Sequence, residues 1–305
     1  MSKSRILVIG SINVDMVIKT KNIPIPGETT IGNEFFMNMG GKGANQAVAA
    51  TRLGGEVSFV GKVGNDVFGK QAVDSLQKEG IDIRFIGMTK DVSSGIATIT
   101  VEQNGENAIV VVPGANYEVN ETDIDLADEL FDTCEIILLQ YEIPIKIIEY
   151  IIQKAIYFKK KVVLNPAPAE KIKDEYLNDL YIITPNETEA EKLTGVKIID
   201  DKSTLHAADL LLEKGIQVVI ITLGEKGALV KSKNICEFIS SPKVKAIDTT
   251  AAGDTFNGAL VVLLSEGRDI LTATKLACQA ASLSVTRFGA QASIPYRREL
   301  ESLNK

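Results

Sequence analysis

Residues 6–13 of the chain read ILVIGSIN, four consecutive apolar residues followed by a loop of small and polar residues. Such a run, apolar on both faces, is typical of a strand in a parallel sheet that helices cover. Five similar runs follow at Val57–Val60, Ile136–Leu139, Val162–Leu164, Tyr181–Ile183 and Val218–Ile221. Between them lie helical patterns at 43–53, 67–79, 144–158, 187–194 and 203–214. The alternation predicts a three-layer α/β/α fold with a mostly parallel central sheet.

Two regions interrupt this alternation. Residues at about 13–37 contain two short strand-like runs, and residues 94–112 read as a hairpin around Asn104 and Gly105. An Asn-Gly pair between alternating runs favours a tight hairpin turn. We expect these segments to form a small antiparallel sheet over one edge of the main sheet, either as a lid or as a contact surface.

The composition limits the classes of protein to consider. The chain has 305 residues, 45% of them hydrophobic, and a net charge of −7, so we expect a single domain with a large core over residues 1–305. An acidic chain without a dense basic stripe argues against nucleic acid as a partner. No run approaches the roughly 18–20 apolar residues that cross a bilayer. The cysteines are odd in number and scattered, which favours a reducing compartment, and we expect a cytoplasmic protein.

Polar residues cluster directly after five of the predicted strands. The clusters are Gly10–Asn13, Gln140–Glu142, Asn165–Pro166, Thr184–Asn186 and Thr222–Gly224. Ligands of open α/β sheets bind at the carboxyl ends of the strands. Ordinary loop polarity explains any one cluster, but five together favour a binding site at this edge of the sheet.

Three other chemistries have weak support. His206 is the single histidine and lies in an amphipathic helix pattern, so neither a Ser-His-Asp triad nor a histidine metal site is expected. Residues 64–71 nearly match a P-loop, but Gln71 stands where Ser or Thr should hold Mg²⁺. Residues 41–46 nearly match a dinucleotide fingerprint, but Gln46 replaces the final Gly or Ala, so an NAD-dependent dehydrogenase is weakly supported.

The segment 39–46, MGGKGANQ, places three glycines around Lys42 and opens a predicted helix. Small residues let a ligand approach the backbone, and a helix N-terminus offers free N–H groups. Lys42 and Asn45 can then donate hydrogen bonds to hydroxyl groups. The alternative is a flexible glycine-rich loop with a helix behind it, and the three glycines favour the ligand site.

Asn186 and Glu189 have the spacing of a capping box for the helix predicted at 187–194, and the spacing favours that structural role. A carboxylate close to phosphates can also organise Mg²⁺ through water. One Asn can cap a helix and still face a ligand.

The segment 248–255, DTTAAGDT, precedes a helix predicted over 255–265. Its small residues leave the N–H groups of 251–254 free to face an anion, and the helix dipole adds to that attraction. Asp254 is then either an N-cap or a general base that accepts a proton from an attacking hydroxyl. Its position alone leaves these two interpretations equal.

Together these motifs resemble the phosphofructokinase-B family of carbohydrate kinases, and within it the ribokinase branch. The resemblance runs the length of the chain and rests on Gly10–Asp15, Gly40–Gln46, Pro185–Glu189, Thr222–Gly227, Asp248–Gly258 and Thr286–Ala290. It implies an α/β kinase fold whose β lid also forms a dimer clasp. It also implies ATP-dependent phosphorylation of the 5-hydroxyl of D-ribose, with Asp254 as base and an anion hole at Ala251–Asp254.

The resemblance also implies the residues of the site. The implied catalytic residues are Asp254, Gly253 and Ala252. The implied sugar-binding residues are Asn13, Asp15, Gly41, Lys42, Asn45, Glu142 and Asp254. The implied nucleotide-binding residues are Asn186, Thr222, Gly224, Lys226, Gly227, Gly253 and Cys278. The implied K⁺-binding residues are Asp248, Thr250, Ser284, Arg287, Gly289 and Ser293, and Glu189 is implied to bind Mg²⁺ through water.

Two other functions stay open on the same fold. One is a kinase for deoxyribose or another small sugar or nucleoside, and Asp15 should discriminate by binding the hydroxyls of ribose. The other is a non-catalytic sugar or nucleotide sensor, against which an intact Gly253-Asp254 pair argues.

Ala251, where the family usually has Gly, is a variant that ribokinases share. The expected partners are a small sugar and ATP, with no nucleic acid and no membrane, in a homodimer formed through the lid.

Overall fold

A computed structural model describes residues 5–170 and 172–302. The strands are β1 (Arg5–Ile9), β2 (Asn13–Lys19), β3 (Glu34–Gly40), β4 (Glu56–Gly64), β5 (Asp82–Thr89), β6 (Gly95–Val101), β7 (Asn107–Val112), β8 (Ile136–Gln140), β9 (Lys161–Asn165), β10 (Ile182–Ile183), β11 (Val218–Thr222), β12 (Ala228–Ser232) and β13 (Cys236–Ile239). The helices are α1 (Lys42–Arg52), α2 (Val67–Lys78), α3 (Glu121–Asp125), α4 (Asp128–Thr133), α5 (Ile145–Tyr157), α6 (Asp174–Leu177), α7 (Glu187–Thr194), α8 (Asp201–Glu213), α9 (Ala252–Ser265), α10 (Ile270–Ser284) and α11 (Arg297–Ser302).

The main sheet has nine strands in the order β13-β12-β11-β10-β9-β8-β1-β4-β5. The seven strands from β11 to β5 run parallel, and β12 and β13 turn back antiparallel at one edge. All six apolar runs predicted as strands lie in this sheet. The sheet also contains β5, β12 and β13, which the sequence pattern did not single out.

Helices cover both faces of the main sheet, which confirms the predicted three-layer fold. In β1, Ile6 and Val8 pack into a core with α1, α2, α9 and α10, because alternate side chains of a strand point to opposite faces. Leu7 and Ile9 pack into a second core with α3, α4, α5, α7 and α8. Within the described residues, no helix is both long and apolar enough to span a membrane.

Helices α1 and α9 approach each other closely in the first of these cores. A Cβ atom built on Gly258 would lie 2.5 Å from the Cβ of Ala49 and 2.7 Å from the carbonyl oxygen of Gln46. Real Cβ atoms do not tolerate such contacts, so the absence of a side chain at Gly258 sets the spacing of the two helices.

The predicted second sheet is present, and we call it the lid sheet. Its four strands follow the order β3-β2-β6-β7. The pairs β2–β3 and β6–β7 are antiparallel, as predicted, and a parallel pairing of β2 with β6 joins the two hairpins. Gly105 at the predicted turn has a φ of 89°, a conformation that favours glycine. The segments predicted as a lid therefore form one continuous four-stranded sheet.

Candidate active site

A cavity of about 190 Å³ lies at the carboxyl ends of β9, β10 and β11, beside the first residues of α1 and α9. Its lining includes Lys42, Asn186, Glu189, Gly253 and Asp254. The cavity therefore lies at the edge of the sheet that the polar strand ends predicted.

A larger cavity, of about 340 Å³, lies at the opposite edge, by the amino ends of β1, β4 and β5. The side chain of Arg84 in its wall already pairs with Asp82 and Glu129. None of the predicted site residues lines it. We therefore assign the chemistry to the smaller cavity.

Helix α9 begins at Ala252, three residues before the predicted start at 255. Ala251 occupies the N-cap position with a φ of 59°, in the left-handed region, and no side chain caps the helix. Asp254 consequently lies within the first turn of α9. This geometry removes the N-cap interpretation of Asp254 that the sequence had left open.

The carboxylate of Asp254 is held by two side-chain amides from α1. Asn45 donates from Nδ2 to Oδ2 over 2.9 Å, and Gln46 donates from Nε2 to Oδ1 over 3.0 Å. Asp254 is 6% exposed, and it borders the cavity. Each carboxylate oxygen thus has one neutral donor and keeps room to accept a further hydrogen bond from a ligand.

Further buried side-chain amides form hydrogen bonds with Gln46 and with the backbone next to Asp254. Gln140 donates from Nε2 to Oε1 of Gln46 over 2.6 Å, and Gln46 also donates to Oδ1 of Asn165 over 3.0 Å. Asn257 donates to the carbonyl oxygen of Gly253 over 2.9 Å. None of Gln46, Gln140, Asn165 and Asn257 is among the site residues that the family resemblance implies. The polar strand ends already pointed to Gln140 and Asn165, whereas Asn257 inside a helix gave no signal.

Asn13 lies at the first position of β2 and is 5% exposed. Its Oδ1 accepts a hydrogen bond from Nδ2 of Asn116 over 2.7 Å, and Asn116 is itself buried. A Cβ on Gly95 would lie 2.1 Å from Oδ1 of Asn13, so the neighbouring strand must carry glycine there. The amide of Asn13 is therefore oriented by residues of the second lid hairpin and the turn that follows it.

Glu142 connects the end of β8 with the start of α1. Its Oε2 accepts hydrogen bonds from Oγ of Ser11 over 2.5 Å and from the backbone N–H of Lys42 over 2.9 Å. Gly41 has a φ of 87°, and a Cβ there would lie 2.7 Å from the backbone nitrogen of Asn13. Gly41 therefore permits a close approach of two backbone segments at the predicted sugar site.

Charge is concentrated at this site. Burial, with the nearby carboxylates of Glu142 and Asp254, raises the pKa of Asp15 to about 7, although Lys42 opposes the shift. Burial lowers the pKa of Lys42, but the surrounding carboxylates outweigh burial and leave that pKa above its ordinary value. Burial also raises the pKa of Glu189. Carboxylates around one ammonium group, with amides beside them, suit a neutral ligand rich in hydroxyl groups.

The predicted capping box of α7 is confirmed. Asn186 accepts from the N–H of Glu189 through Oδ1, and the side chain of Glu189 accepts from the N–H of Asn186, each over 2.8 Å. Asn186, Glu189 and Thr222 also line the cavity, so the cap and a ligand contact are compatible. Gly224 and Lys226 form the exposed turn after β11, and Gly227 follows with a φ of 109°.

Cys278 is placed differently from the other predicted nucleotide residues. It is 4% exposed in α10 and packs in the core that contains α1 and α9. Like Gly224, Lys226 and Gly227 it does not line the cavity, but unlike them it lies inside an α-helix, where burial raises the pKa of its thiol to about 12. The structure therefore does not bring the Cys278 side chain to the candidate site.

The predicted cation loop converges on Asp248. Its Oδ1 accepts from the N–H of Thr250 over 2.9 Å and from its hydroxyl over 2.6 Å, and Oδ2 accepts from the N–H of Gly289 over 2.9 Å. Burial acts to raise the pKa of Asp248, but these hydrogen bonds outweigh it, so that pKa lies below its ordinary value.

The other three predicted cation ligands have side chains that are engaged nearby. The hydroxyls of Ser284 and Ser293 donate to backbone carbonyls one helical turn away, and Arg287 pairs with Glu299. Among residues 5–170 and 172–302, no three His, Cys, Asp or Glu side chains group so as to hold a metal ion. At Asp248 the loop offers one carboxylate beside hydroxyl and backbone oxygens as candidate ligands for a cation.

Comparison with known proteins agrees with this geometry. Residues 3–297 match the profile of the pfkB family carbohydrate kinases. The ribokinase of Haemophilus influenzae is 44% identical over 297 residues, which cover 97% of each chain. The deoxyribokinase of Salmonella typhi is 38% identical over 295 residues, which cover 95% of each chain.

A solved structure shares the whole fold. A ribokinase from Arabidopsis thaliana, complexed with ribose and ATP, is 30% identical to this chain and superposes with a TM-score of 0.92. The match covers 100% of this chain and 99% of that one. The main sheet and the lid sheet together therefore form a ribokinase fold.

Proposed function

The chain belongs to the pfkB family of carbohydrate kinases, and from this premise we propose that it transfers the γ-phosphoryl group of ATP to the 5-hydroxyl of D-ribose. One observation carries the proposal. The carboxylate of Asp254 is buried at the cavity wall, it caps no helix, and two neutral amides hold it. A carboxylate so held is suited to accept a proton from a hydroxyl group.

The proposed reaction is a direct displacement. As Asp254 accepts the proton of the 5-hydroxyl, the hydroxyl oxygen bonds to the γ-phosphorus, and the bond from that phosphorus to the bridging oxygen of ADP breaks. The first N–H groups of α9 have no acceptor within the helix, and we propose that those of Gly253 and Asp254 form the anion hole together with that of Ala252, which here donates to the carbonyl oxygen of Thr249 over 3.3 Å. Catalysis then comes mainly from position and charge.

We propose that the sugar lies between the lid sheet and the start of α1. Asn13, Asp15 and Glu142 would bind its hydroxyls, with Gly41 and Lys42 at the backbone beside them. Oδ1 of Asn45 is buried and has no partner among the described residues, so it can accept from a sugar hydroxyl. Closure of the lid sheet would exclude water that otherwise hydrolyses ATP.

The nucleotide would lie along the strand ends, against Asn186, Thr222, Gly224, Lys226 and Gly227. Mg²⁺ would be held through water by Glu189, whose carboxylate borders the cavity beside the anion hole. When bound, the ion offsets charge on the phosphates. Cys278 stays a proposed nucleotide residue, but its thiol is buried in the core and is not proposed to touch the ligand.

We also propose a bound K⁺ ion, a homodimer and a cytoplasmic location. K⁺ beside Asp248 and Thr250 would order the loop that leads into the anion hole without touching substrate. A homodimer would form through the lid sheet, where Ile109, Val110, Val111 and Val112 are each between 49% and 64% exposed. The chain would act as a single kinase domain in the cytoplasm, where its unpaired cysteines stay reduced.

An assay of ADP release tests the proposal. ADP should appear only when ribose, ATP, Mg²⁺ and K⁺ are all present. Asp254→Asn should lower kcat by roughly 10²–10⁴-fold, the usual contribution of a general base, with an unchanged melting temperature. Turnover by Asp254→Asn like that of the unaltered protein would exclude Asp254 as the base.

A second candidate is a kinase for deoxyribose, which the similarity to a deoxyribokinase favours. A panel of ribose, deoxyribose, fructose and nucleosides in the same assay decides between them. Sugar binding without ADP release from any member of the panel would instead indicate a non-catalytic sensor.

A further inference from the structure

Gln46 contacts more of the active-site network than any residue with an expected role. It is fully buried, and its single amide joins the side chains of Asp254, Asn165 and Gln140. We propose that Gln46 is a positioning residue that holds the Asp254 carboxylate facing the sugar hydroxyl. This inference rests on the proposed function, because it assumes that Asp254 is the base.

Gln140 sets the orientation of the Gln46 amide through the amide oxygen, which does not contact Asp254. Gln140 donates to Oε1 of Gln46, which turns Nε2 towards Asp254. In the reversed orientation, Oε1 of Gln46 would face the oxygens of Asp254 and Asn165, and three acceptors would be left without donors. Only one orientation of the amide is therefore satisfied.

Gln140 is held by the strand it ends and by packing, and its Oε1 is a buried acceptor without a hydrogen-bond partner among the described residues. It ends β8, pairs in register with Asn165 of β9 and is fully buried. A Cβ atom on Gly10 would lie 2.1 Å from Oε1 of Gln140, so that oxygen rests against the end of β1. The hydrogen bonds that lead from Gln140 in the central sheet through Gln46 to Asp254 are thus formed between buried side chains.

The neutrality of the donor matters for the chemistry. Asp254 shares its surroundings with the carboxylates of Asp15, Glu142 and Glu189 and with the ammonium group of Lys42. A second cation in contact with Asp254 would favour the ionised carboxylate and make it a weaker base. The amides of Asn45 and Gln46 instead fix the direction of the carboxylate without adding charge.

Two substitutions separate this role from a structural one. Gln46→Glu keeps an acceptor for Gln140 and replaces the donor to Asp254 by a second carboxylate. Gln46→Met removes both the acceptor for Gln140 and the donor to Asp254, and it keeps a side chain of similar length. Each should lower kcat by about 10- to 100-fold, the cost of a misplaced reacting group, while the KM for ribose changes less than threefold. In Gln46→Glu the acidic limb of the kcat profile should also move to higher pH, because two adjacent carboxylates share a proton.

A control accounts for loss of stability. Thr204 is 2% exposed in α8 and does not line the cavity, and its hydroxyl donates to the carbonyl of Asp200 over 2.8 Å. Thr204→Val should lower the melting temperature without changing kcat. If Gln46→Met does not fold, Gln46→Glu carries the test, because it keeps the hydrogen bond with Gln140.

A double substitution completes the test. If Gln46 acts only through Asp254, Gln46→Glu should have no further effect on the residual turnover of Asp254→Asn. Multiplied losses, or unchanged kcat in both Gln46 variants, would overturn the inference. Normal turnover by Asp254→Asn alone would instead contradict the proposed function, so the two failures are distinguishable.

Discussion

Nδ2 of Asn116 lies 2.7 Å from Oδ1 of Asn13 and donates a hydrogen bond to it. The same side chain accepts from the N–H of Ile12 over 2.8 Å. Asn116 follows the second lid hairpin, whereas Asn13 begins the first. The contact turns the N–H₂ group of Asn13 away from Asn116, and we propose that this group donates to the sugar.

We expect Asn116→Leu to weaken sugar binding. Oδ1 of Asn13 loses its donor, so the amide can reverse and present the wrong group to the sugar. The KM and Kd for ribose should rise about tenfold, consistent with a net hydrogen-bond contribution of about 1–2 kcal/mol, and kcat should change little. Asn120→Ala is the control, because it removes an exposed helix cap nearby and should affect stability alone. An unchanged KM in Asn116→Leu would show that the contact does not orient Asn13.

Asp15 should make stability depend on pH in the absence of sugar. Its pKa is about 7 in the folded protein against an ordinary value of 3.8, so the folded state binds the proton more tightly. The stabilisation from that proton is complete below 3.8 and is lost as the pH rises to about 7. At pH 8 the Asp15→Asn variant should therefore have a higher melting temperature than the unaltered protein. This difference should disappear as the pH is lowered towards 5. Asp91→Asn, at an exposed site, should show no such trend, and a constant difference for Asp15→Asn would contradict the prediction.

Asp248→Asn should remove the response to K⁺. The variant keeps an acceptor for Thr250, but it cannot accept from the N–H of Gly289 while its N–H₂ group points there. We expect a titration with KCl to raise kcat of the unaltered protein and to leave the variant nearly unaffected, with similar ribose affinity in both. Equal activity of the unaltered protein in K⁺ and Na⁺ would remove the cation from the proposal.

The lid sheet should control oligomeric state. Val110 of β7 is 64% exposed, so Val110→Glu would bury an unpaired charge in an interface formed there. Sedimentation velocity should show a dimer for the unaltered protein and a monomer for the variant. Ile199→Glu is the matched control, because Ile199 is 74% exposed outside the lid sheet and should leave the dimer intact. A dimer that survives Val110→Glu would place the interface elsewhere.

Gly258→Ala should separate α1 from α9. The added methyl group would meet Ala49 and the backbone of Gln46, and such overpacking costs about 1–3 kcal/mol. We expect a lower melting temperature together with a lower kcat, because α1 carries Gln46 and α9 carries Asp254. For stability, Gly253→Ala in the same helix is the control, since a Cβ there has nothing within 4 Å. Equal melting temperatures for the two variants would mean that the helices accommodate the methyl group.

Most strands inside the main sheet were predictable from runs of buried apolar residues, although β12, which is buried at residues 228–230, was not. Strands such as β1 and β8 are apolar on both faces because they lie inside the sheet, and their sequences show it directly. Strand β5 is only partly buried along its length and β13 is largely exposed, so neither carries a clear periodic signal. Edge strands depend on their partners more than on their own residues.

The site was predictable as a set of motifs but not as a geometry. Asp254 stayed ambiguous because nothing in the sequence shows that Ala251 adopts a left-handed conformation, which starts α9 three residues earlier than predicted. Gln46 breaks a dinucleotide fingerprint and ends the motif 40–46, but neither pattern gave it a role in the site. Its contact with Asp254 joins positions 208 residues apart, and only the folded chain brings them together.

That separation along the chain has a consequence for protein synthesis. A ribosome completes Asn13, Lys42 and Gln46 long before it reaches Asp254, which follows Gln46 by 208 residues. Strand β1 must also wait for β8, its neighbour in the sheet, because residues 136–140 are synthesised much later than β1. An unfinished chain can thus carry most of the proposed sugar ligands and yet lack the base, so truncated products should not consume ATP.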